Sequence, residues 1–307
     1  MTRPLIFGVL NVTPDSFSDG GRWLGASDAI NHATELTAQG ADVIDIGGES
    51  TRPGADRVPL EEEHARVIPI VQELVARGMR VSVDTMNSST AALSARAGAE
   101  FINDVSGGLA DPDMYRVMAD NAATYIVMHW RGHSATMQNN PSYVDVVRDV
   151  RREIAERVAE AIVWGVAPDR IVIDPGLGFS KTAQHNWQLL AGLPELGRLG
   201  FPILVGASRK GFLAEFAPDG APASERDAAT ATISGLAAQA AAWGVRVHNV
   251  PATRQVLDVW NRWSDAGSDS SAPASTTTPE HGSPYEPARH HHTHRTSRVR
   301  VPWRFRP

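Results

Sequence analysis

A short β-rich apolar run, a polar tip and a helical pattern recur eight times between Leu5 and Val259. The runs are Leu5 to Leu10, Val43 to Ile46, Arg80 to Val83, Phe101 to Ile102, Tyr125 to Met128, Ile171 to Ile173, Ile203 to Val205 and Val245 to Val247. Most are continuous rather than alternating, as for parallel strands buried on both faces. Helical stretches lie between them. Ser27 is expected to cap one with Ile30, Ala33 and Leu36 on its inner face, stopped by Gly40. Ser142 is expected to cap a longer one that reaches Trp164 and stops at Gly165. Pro69 should kink or restart the helix over Leu60 to Arg77. Glu225 to Trp243 is Ala-rich and apolar on more than one face, which calls for a cover such as a second subunit. Strand then helix, eight times in about 260 residues, is the count and size of a (β/α)8 barrel. The rival open sheet is disfavoured, because no Gly-rich dinucleotide fingerprint follows a strand.

Composition changes after Trp263, so two regions are expected: a barrel domain over 1–263 and a tail over 264–307. The tail is Ser/Thr/Pro-rich at first and then rich in Arg and His, with little to bury, and disorder is expected. The histidines His290, His291, His292 and His294 read as part of a solvated basic tail. The chain has no cysteine, which excludes disulfides and thiolate chemistry and fits a cytoplasmic protein. Its start lacks the features of a signal peptide, and no run approaches the ~20 apolar residues of a membrane span. A net charge of -6 argues against general nucleic-acid binding, so anions must be met by a local basic cluster.

All eight strands end in polar or catalytic-type residues, and in a barrel such tips converge on one mouth. Asp84, Asn103 and Asp174 offer acceptors, with Asn103 also a donor, and Lys210 offers a cation. Together they suit a flat heterocycle with an amino-amide edge, a pterin or a guanine. Arg52, Arg246 and His248 suit the oxygens of a phosphate. Asn11 is a neutral oxygen ligand, which beside phosphate favours Mg2+ with several waters. No HExxH spacing for zinc occurs. Two Gly- and Pro-bearing loops, Thr13 to Gly25 and Gly47 to Arg57, are the expected lids.

The motifs NVTPDSFSDGG (Asn11 to Gly21), DIGGESTRPG (Asp45 to Gly54), NDVSGG (Asn103 to Gly108), DPGLGFSK (Asp174 to Lys181) and GASRKGFL (Gly206 to Leu213), with Ser82 to Thr85, resemble the dihydropteroate synthase family. The resemblance runs from about Ile6 to Val259. It implies condensation of 6-hydroxymethyl-7,8-dihydropterin pyrophosphate with p-aminobenzoate, a homodimer and a sulfonamide target. By that resemblance Asp84, Asn103, Asp174 and Lys210 hold the pterin, and Asn11 contacts Mg2+. Arg52, Arg246 and His248 bind pyrophosphate with Thr51 nearby, and Phe17, Pro53, Phe179 and Lys210 line the p-aminobenzoate site. Asp84, Lys210, Arg246 and His248 are the expected catalytic groups. Three positions depart from the family pattern: Gly211 where several relatives carry Ser, Trp130 in place of Met, and Asn249 where Asp is usual. The alternatives are a pterin-binding paralogue without activity and a pterin-dependent methyltransferase.

Overall fold

A computed structural model describes residues 3–12, 21–49, 58–132 and 142–269. The chain divides into a barrel unit, Met1–Ser270, and a second unit, Ser271–Pro307, which lies outside the described residues. The strands are β1 (Leu5–Asn11), β2 (Val43–Gly47), β3 (Val81–Asp84), β4 (Phe101–Asp104), β5 (Thr124–Met128), β6 (Ile171–Asp174), β7 (Leu204–Val205) and β8 (Gly244–Val247). They pair in parallel in the order β6-β5-β4-β3-β2-β1-β8-β7. A parallel bridge from Ile173 to Ile203 joins the two ends. This is a (β/α)8 barrel, and every expected run supplies one of its strands.

The helices are α1 (Gly21–Ala38), α2 (Leu60–Ala76), α3 (Ser88–Arg96), α4 (Met114–Asp120), α5 (Val146–Val163), α6 (Ala183–Ala191), α7 (Leu193–Gly197), α8 (Asp227–Gln239) and α9 (Val250–Asp269). Four expectations about them need correction. Ser27 lies inside α1 rather than at its cap. Asp145, not Ser142, caps α5: its extended backbone brings the carboxylate to the Arg148 amide at 3.1 Å, and Ser142 is too far upstream to reach. The α2 helix runs through Pro69 without a restart, held by its buried face of Val67, Ile70, Val71 and Leu74. Finally, α9 continues past the composition break at Trp263 to Asp269, so 264–269 are helical rather than disordered.

Parallel register sorts the inward side chains into layers, because alternate residues of a strand face the same way. The floor is apolar: Phe7, Val43, Phe101, Ile126, Val172 and Leu204 form one buried cluster with Trp243 against it. Phe7, Phe101 and Trp243 meet with ring centroids 5.3 to 5.8 Å apart. Two residues beyond Val43 on β2, Asp45 pairs in register with Ser82, which pairs in turn with Phe101. At the top, Asn11, Gly47, Asp84 and Asn103 share one rung across β1 to β4. The outward residues, such as Ile44, Val83, Ile102 and Val245, join the larger core between barrel and helices. The barrel is therefore oily at the bottom and polar at the C-terminal mouth.

Candidate active site

The mouth is organised around Arg246. From β8 its guanidinium donates to Asp84 Oδ2 at 2.5 Å and to Asp45 Oδ2 at 3.2 Å. Burial opposes the charge on Arg246, but Asp84, Asp45 and Asp174 more than offset it and raise its pKa. Asp84 behaves differently. Burial pushes its carboxyl up to about 6, with Arg246 pulling down and Asp45 pushing further up. Beside it Asn103 is 1% exposed, yet neither its amide nitrogen nor its oxygen has a partner. Asp45 Oδ1 and Ser82 Oγ are likewise buried and unpaired. A buried, unpaired amide costs about 1–3 kcal/mol, so Asn103 stands here at a cost to stability.

Lys210 enters from the loop after β7. Its ammonium lies 4.1 Å above the centre of the Phe179 ring, and burial and the nearby Arg246 push it down to about 8. Its stem passes Gly178, where a Cβ would meet Lys210 Cδ at 2.9 Å. Gly178 also has φ +80, so glycine is required there twice over. The residue before Lys210, Arg209, has φ 58 although it is not glycine. Its strain is held by α8: the guanidinium forks onto Asp227 at 2.7 and 2.8 Å, and the Thr230 hydroxyl accepts from its amide at 3.2 Å. Asp174 sits between the loops, its Oδ1 accepting from the Gly176 amide at 2.7 Å. Burial raises its pKa.

His248 closes the β8 side. Its Nδ1 lies 2.9 Å from the Ser208 hydroxyl, which also accepts from the His248 amide at 3.1 Å. Burial, with Arg209 and Arg246 nearby, lowers its pKa to about 4, so the imidazole is neutral at pH 7. Asn249 turns from it. Its Oδ1 accepts from the Ala252 amide at 3.1 Å at the start of α9, and its Nδ2 donates to Asp227 Oδ2 at 3.1 Å. Asp227 is the carboxylate that His248 feels. At Gly211 a Cβ would meet nothing within 4 Å, so that departure removes a hydroxyl without disturbing packing. Trp130 lines a hollow with Arg131, Arg152 and Glu153.

The structure thus brings Asp84, Asn103, Asp174, Lys210, Arg246, Phe179 and His248 to one mouth, with Asn11 on the Asp84 rung. Phe17, Thr51, Arg52 and Pro53 lie outside the described residues. So do 13–20 and 50–57 of the two expected lids, while 21–25 form the start of α1. Arg246 is expected with the anion site, and here its guanidinium rests on Asp84, which is expected with the pterin, and on Asp45. Sequence reasoning gives no site role to Asp45, Ser82 or Asp227. Asp45 and Ser82 open two of the quoted motifs, and their further signal is polarity where a buried strand should be oily. Among the described residues no cluster of three His, Asp or Glu forms a metal cage. Asn11 Oδ1, 3.7 Å from where a Gly47 Cβ would stand, suits an ion held mostly by phosphate and water.

The chain is similar to known proteins over most of its length. A family model described as "Pterin binding enzyme" matches residues 7–248. The dihydropteroate synthase of Mycobacterium leprae is 50% identical over 267 residues, 85% of this chain and 94% of that protein. That of Synechocystis sp. is 44% identical over 258 residues, 84% of this chain and 89% of the relative. Among solved structures, Xanthomonas albilineans dihydropteroate synthase with 4-aminobenzoic acid superposes with a TM-score of 0.79 at 43% identity, covering 85% of this chain and 93% of that one. The same enzyme in complex with 7,8-dihydropteroate gives 0.76 at 40% identity, covering 86% and 95%.

Proposed function

This chain belongs to the pterin-binding enzyme family as a dihydropteroate synthase, and from that premise we propose how its residues divide the work. The reaction joins 6-hydroxymethyl-7,8-dihydropterin pyrophosphate to p-aminobenzoate in folate synthesis. The amine nitrogen bonds to the methylene carbon, the C–O bond breaks, and pyrophosphate leaves with the electron pair. The amine releases one proton.

The unpaired amide of Asn103 carries the pterin assignment. With Asp84 and Asp174 it meets the amino-amide edge, and Lys210 donates to the ring carbonyl. Asp84 stays ionised against Arg246 and stabilises positive charge growing on the methylene carbon. His248 and Arg246, with Arg52, hold the pyrophosphate, and Thr51 stands near it. Phe179, Phe17, Pro53 and the Lys210 stem line the p-aminobenzoate site. Asn11 is the one protein ligand we assign to Mg2+, which when bound supplies positive charge to the leaving group. No strong base is needed for an aromatic amine attacking a cationic carbon.

We assign catalysis to the barrel and none to the residues beyond Asp269. The exposed apolar side chains of Leu236 on α8 and of Val259 and Trp263 on α9 suit pairing with a second copy, giving a homodimer. Among the described residues no helix is long and apolar enough to cross a membrane. We place the enzyme in the cytoplasm and expect sulfonamides to compete with p-aminobenzoate. The deciding experiment incubates the full chain with both substrates and Mg2+ and follows dihydropteroate. Pterin binding without product would overturn the reading. Lys210→Ala is expected to lower turnover by about 10³-fold with the fold kept, since it removes a buried ligand-pairing cation. Near-normal turnover would overturn the Lys210 assignment.

A further inference from the structure

Lys181 is a buried cation that the reaction assigned above leaves unused; it is 4% exposed. Its Nζ lies 2.9 Å from each of three acceptors: the carbonyls of Gly176 and Phe179 and Nδ1 of His129. Three acceptors around one amine match an ammonium, which has three protons to donate. Burial lowers the Lys181 pKa to about 7 against the pull of Asp174, and the acceptors are what the charged form gains. Burial and Lys181 push His129 down to about 3, so the imidazole is neutral. With Nδ1 accepting, its proton sits on Nε2 and is donated to Glu153 Oε2 at 3.0 Å. Glu153 is fixed in turn by Arg131, whose Nε donates to it at 2.9 Å. A carboxylate thus supports, through a neutral ring, a lysine it does not touch.

The two carbonyls belong to the loop that walls the substrate site. Ser180, just before Lys181, has φ 49 without being glycine, so the loop needs holding in place. The Phe179 ring carries the Lys210 ammonium, and Gly178 leaves the gap for the Lys210 stem. Moving this turn moves both. We propose that Lys181, backed by His129 and Glu153, is a positioning residue that sets where Phe179 and Lys210 meet p-aminobenzoate. The proposal rests on the assignment of those two residues to that site.

The test uses the full chain with Lys181→Met. At saturating pterin pyrophosphate, KM for p-aminobenzoate is expected to rise about tenfold while kcat stays within about threefold. A purely structural loss would lower the folded fraction, hence kcat, and leave KM alone. Lys181→Cys supplies a rescue. The chain has no cysteine, so alkylation with 2-bromoethylamine rebuilds a single ammonium of lysine's reach. It is expected to bring KM back within about threefold of the parent. If the Lys181 variants do not fold, Glu153→Gln at the more exposed end is expected to raise KM about threefold. An unchanged KM in a folded variant, or no recovery on alkylation, overturns the proposal. If the parent chain makes no dihydropteroate, the functional reading fails instead. The 19F resonance of fluorophenylalanine at 179, assigned with Phe179→Leu, then decides: a shift in Lys181→Met supports positioning, and an unmoved signal overturns it.

Discussion

The barrel mouth and the polar clusters around it are equally buried, but they differ in how they are satisfied. Beyond the mouth, charged groups are surrounded by partners. Glu63 on α2 accepts from the side chains of Thr85, Asn87 and Thr90. Asp104 accepts from the Ser106 amide and hydroxyl, the Gly108 amide and the Tyr125 hydroxyl. Inside the mouth, four polar atoms of Asp45, Ser82 and Asn103 have none. Other unpaired atoms occur, as at Ser94 and Thr253, but those four stand on adjoining strands in two successive layers. Satisfied groups hold the scaffold, and of the unsatisfied ones the Asn103 amide is the one we assign to the ligand.

The comparison is most exposed to Glu63→Ala. Three donors lose their acceptor in a closed interior, so unfolding free energy is expected to fall by about 3–5 kcal/mol in denaturant melts. Activity should fall too, because Thr85 follows Asp84 directly. A loss below about 1 kcal/mol would show that satisfied clusters are not what holds the mouth. Asn103→Leu is the counterpart. It removes no bond from the ligand-free chain, so stability should stay level or rise. Pterin affinity should fall about 100-fold, two hydrogen bonds' worth, by calorimetric titration. A large drop in stability would mean that Asn103 belongs with the scaffold.

Acid sharpens the contrast through Asp84. Its folded pKa of about 6 is above the ordinary carboxylate value. The protonated form therefore favours the fold, an advantage complete below the unfolded pKa and lost as pH rises through about 6. Ligand binding is expected to run the other way, because the contact proposed for Asp84 needs a carboxylate to accept from the pterin N–H groups. Pterin affinity is expected to weaken about tenfold per unit below about pH 5, with Asp84→Asn flattening the profile. A flat profile in the parent chain would remove Asp84 from the pterin site.

The strands are legible because a continuous apolar run between polar residues suits a buried parallel strand, and the mouth is legible because each run ends in polarity. Inward alternation is not. Asp45 reads as the start of a motif, and its Arg246 partner lies 201 residues away across the closed barrel, a distance no spacing encodes. The same holds for Lys181 and His129, 52 residues apart. The α5 cap escapes the sequence for a local reason. Ser142 and Asp145 are both good caps, and only the backbone turn at Asp145 selects one. Arg246 escapes it for another: side-chain type tells which ligands suit a guanidinium, not that two carboxylates already hold it.

Asn249 tests the smallest difference between the two regions, since it borders the mouth but is satisfied like the scaffold. Asn249→Asp restores the family's usual residue. The α9 cap survives, because a carboxylate accepts from the Ala252 amide as well as an amide oxygen does and faces the positive end of the helix. The bond to Asp227 does not survive, for Nδ2 is its donor. Two carboxylates then meet where Arg209 already forks onto one of them. The net cost is expected to be about 1 kcal/mol, read as a small drop in the melting temperature. His248 gains a nearby negative charge and rises from about 4, yet stays mostly neutral at pH 7. Turnover and pyrophosphate inhibition at pH 7 should therefore stay within about twofold. A change of about tenfold in inhibition would mean that position 249 acts on the anion site through His248, and that the boundary between mouth and scaffold lies one residue further along the chain after β8 than the hydrogen bonds place it.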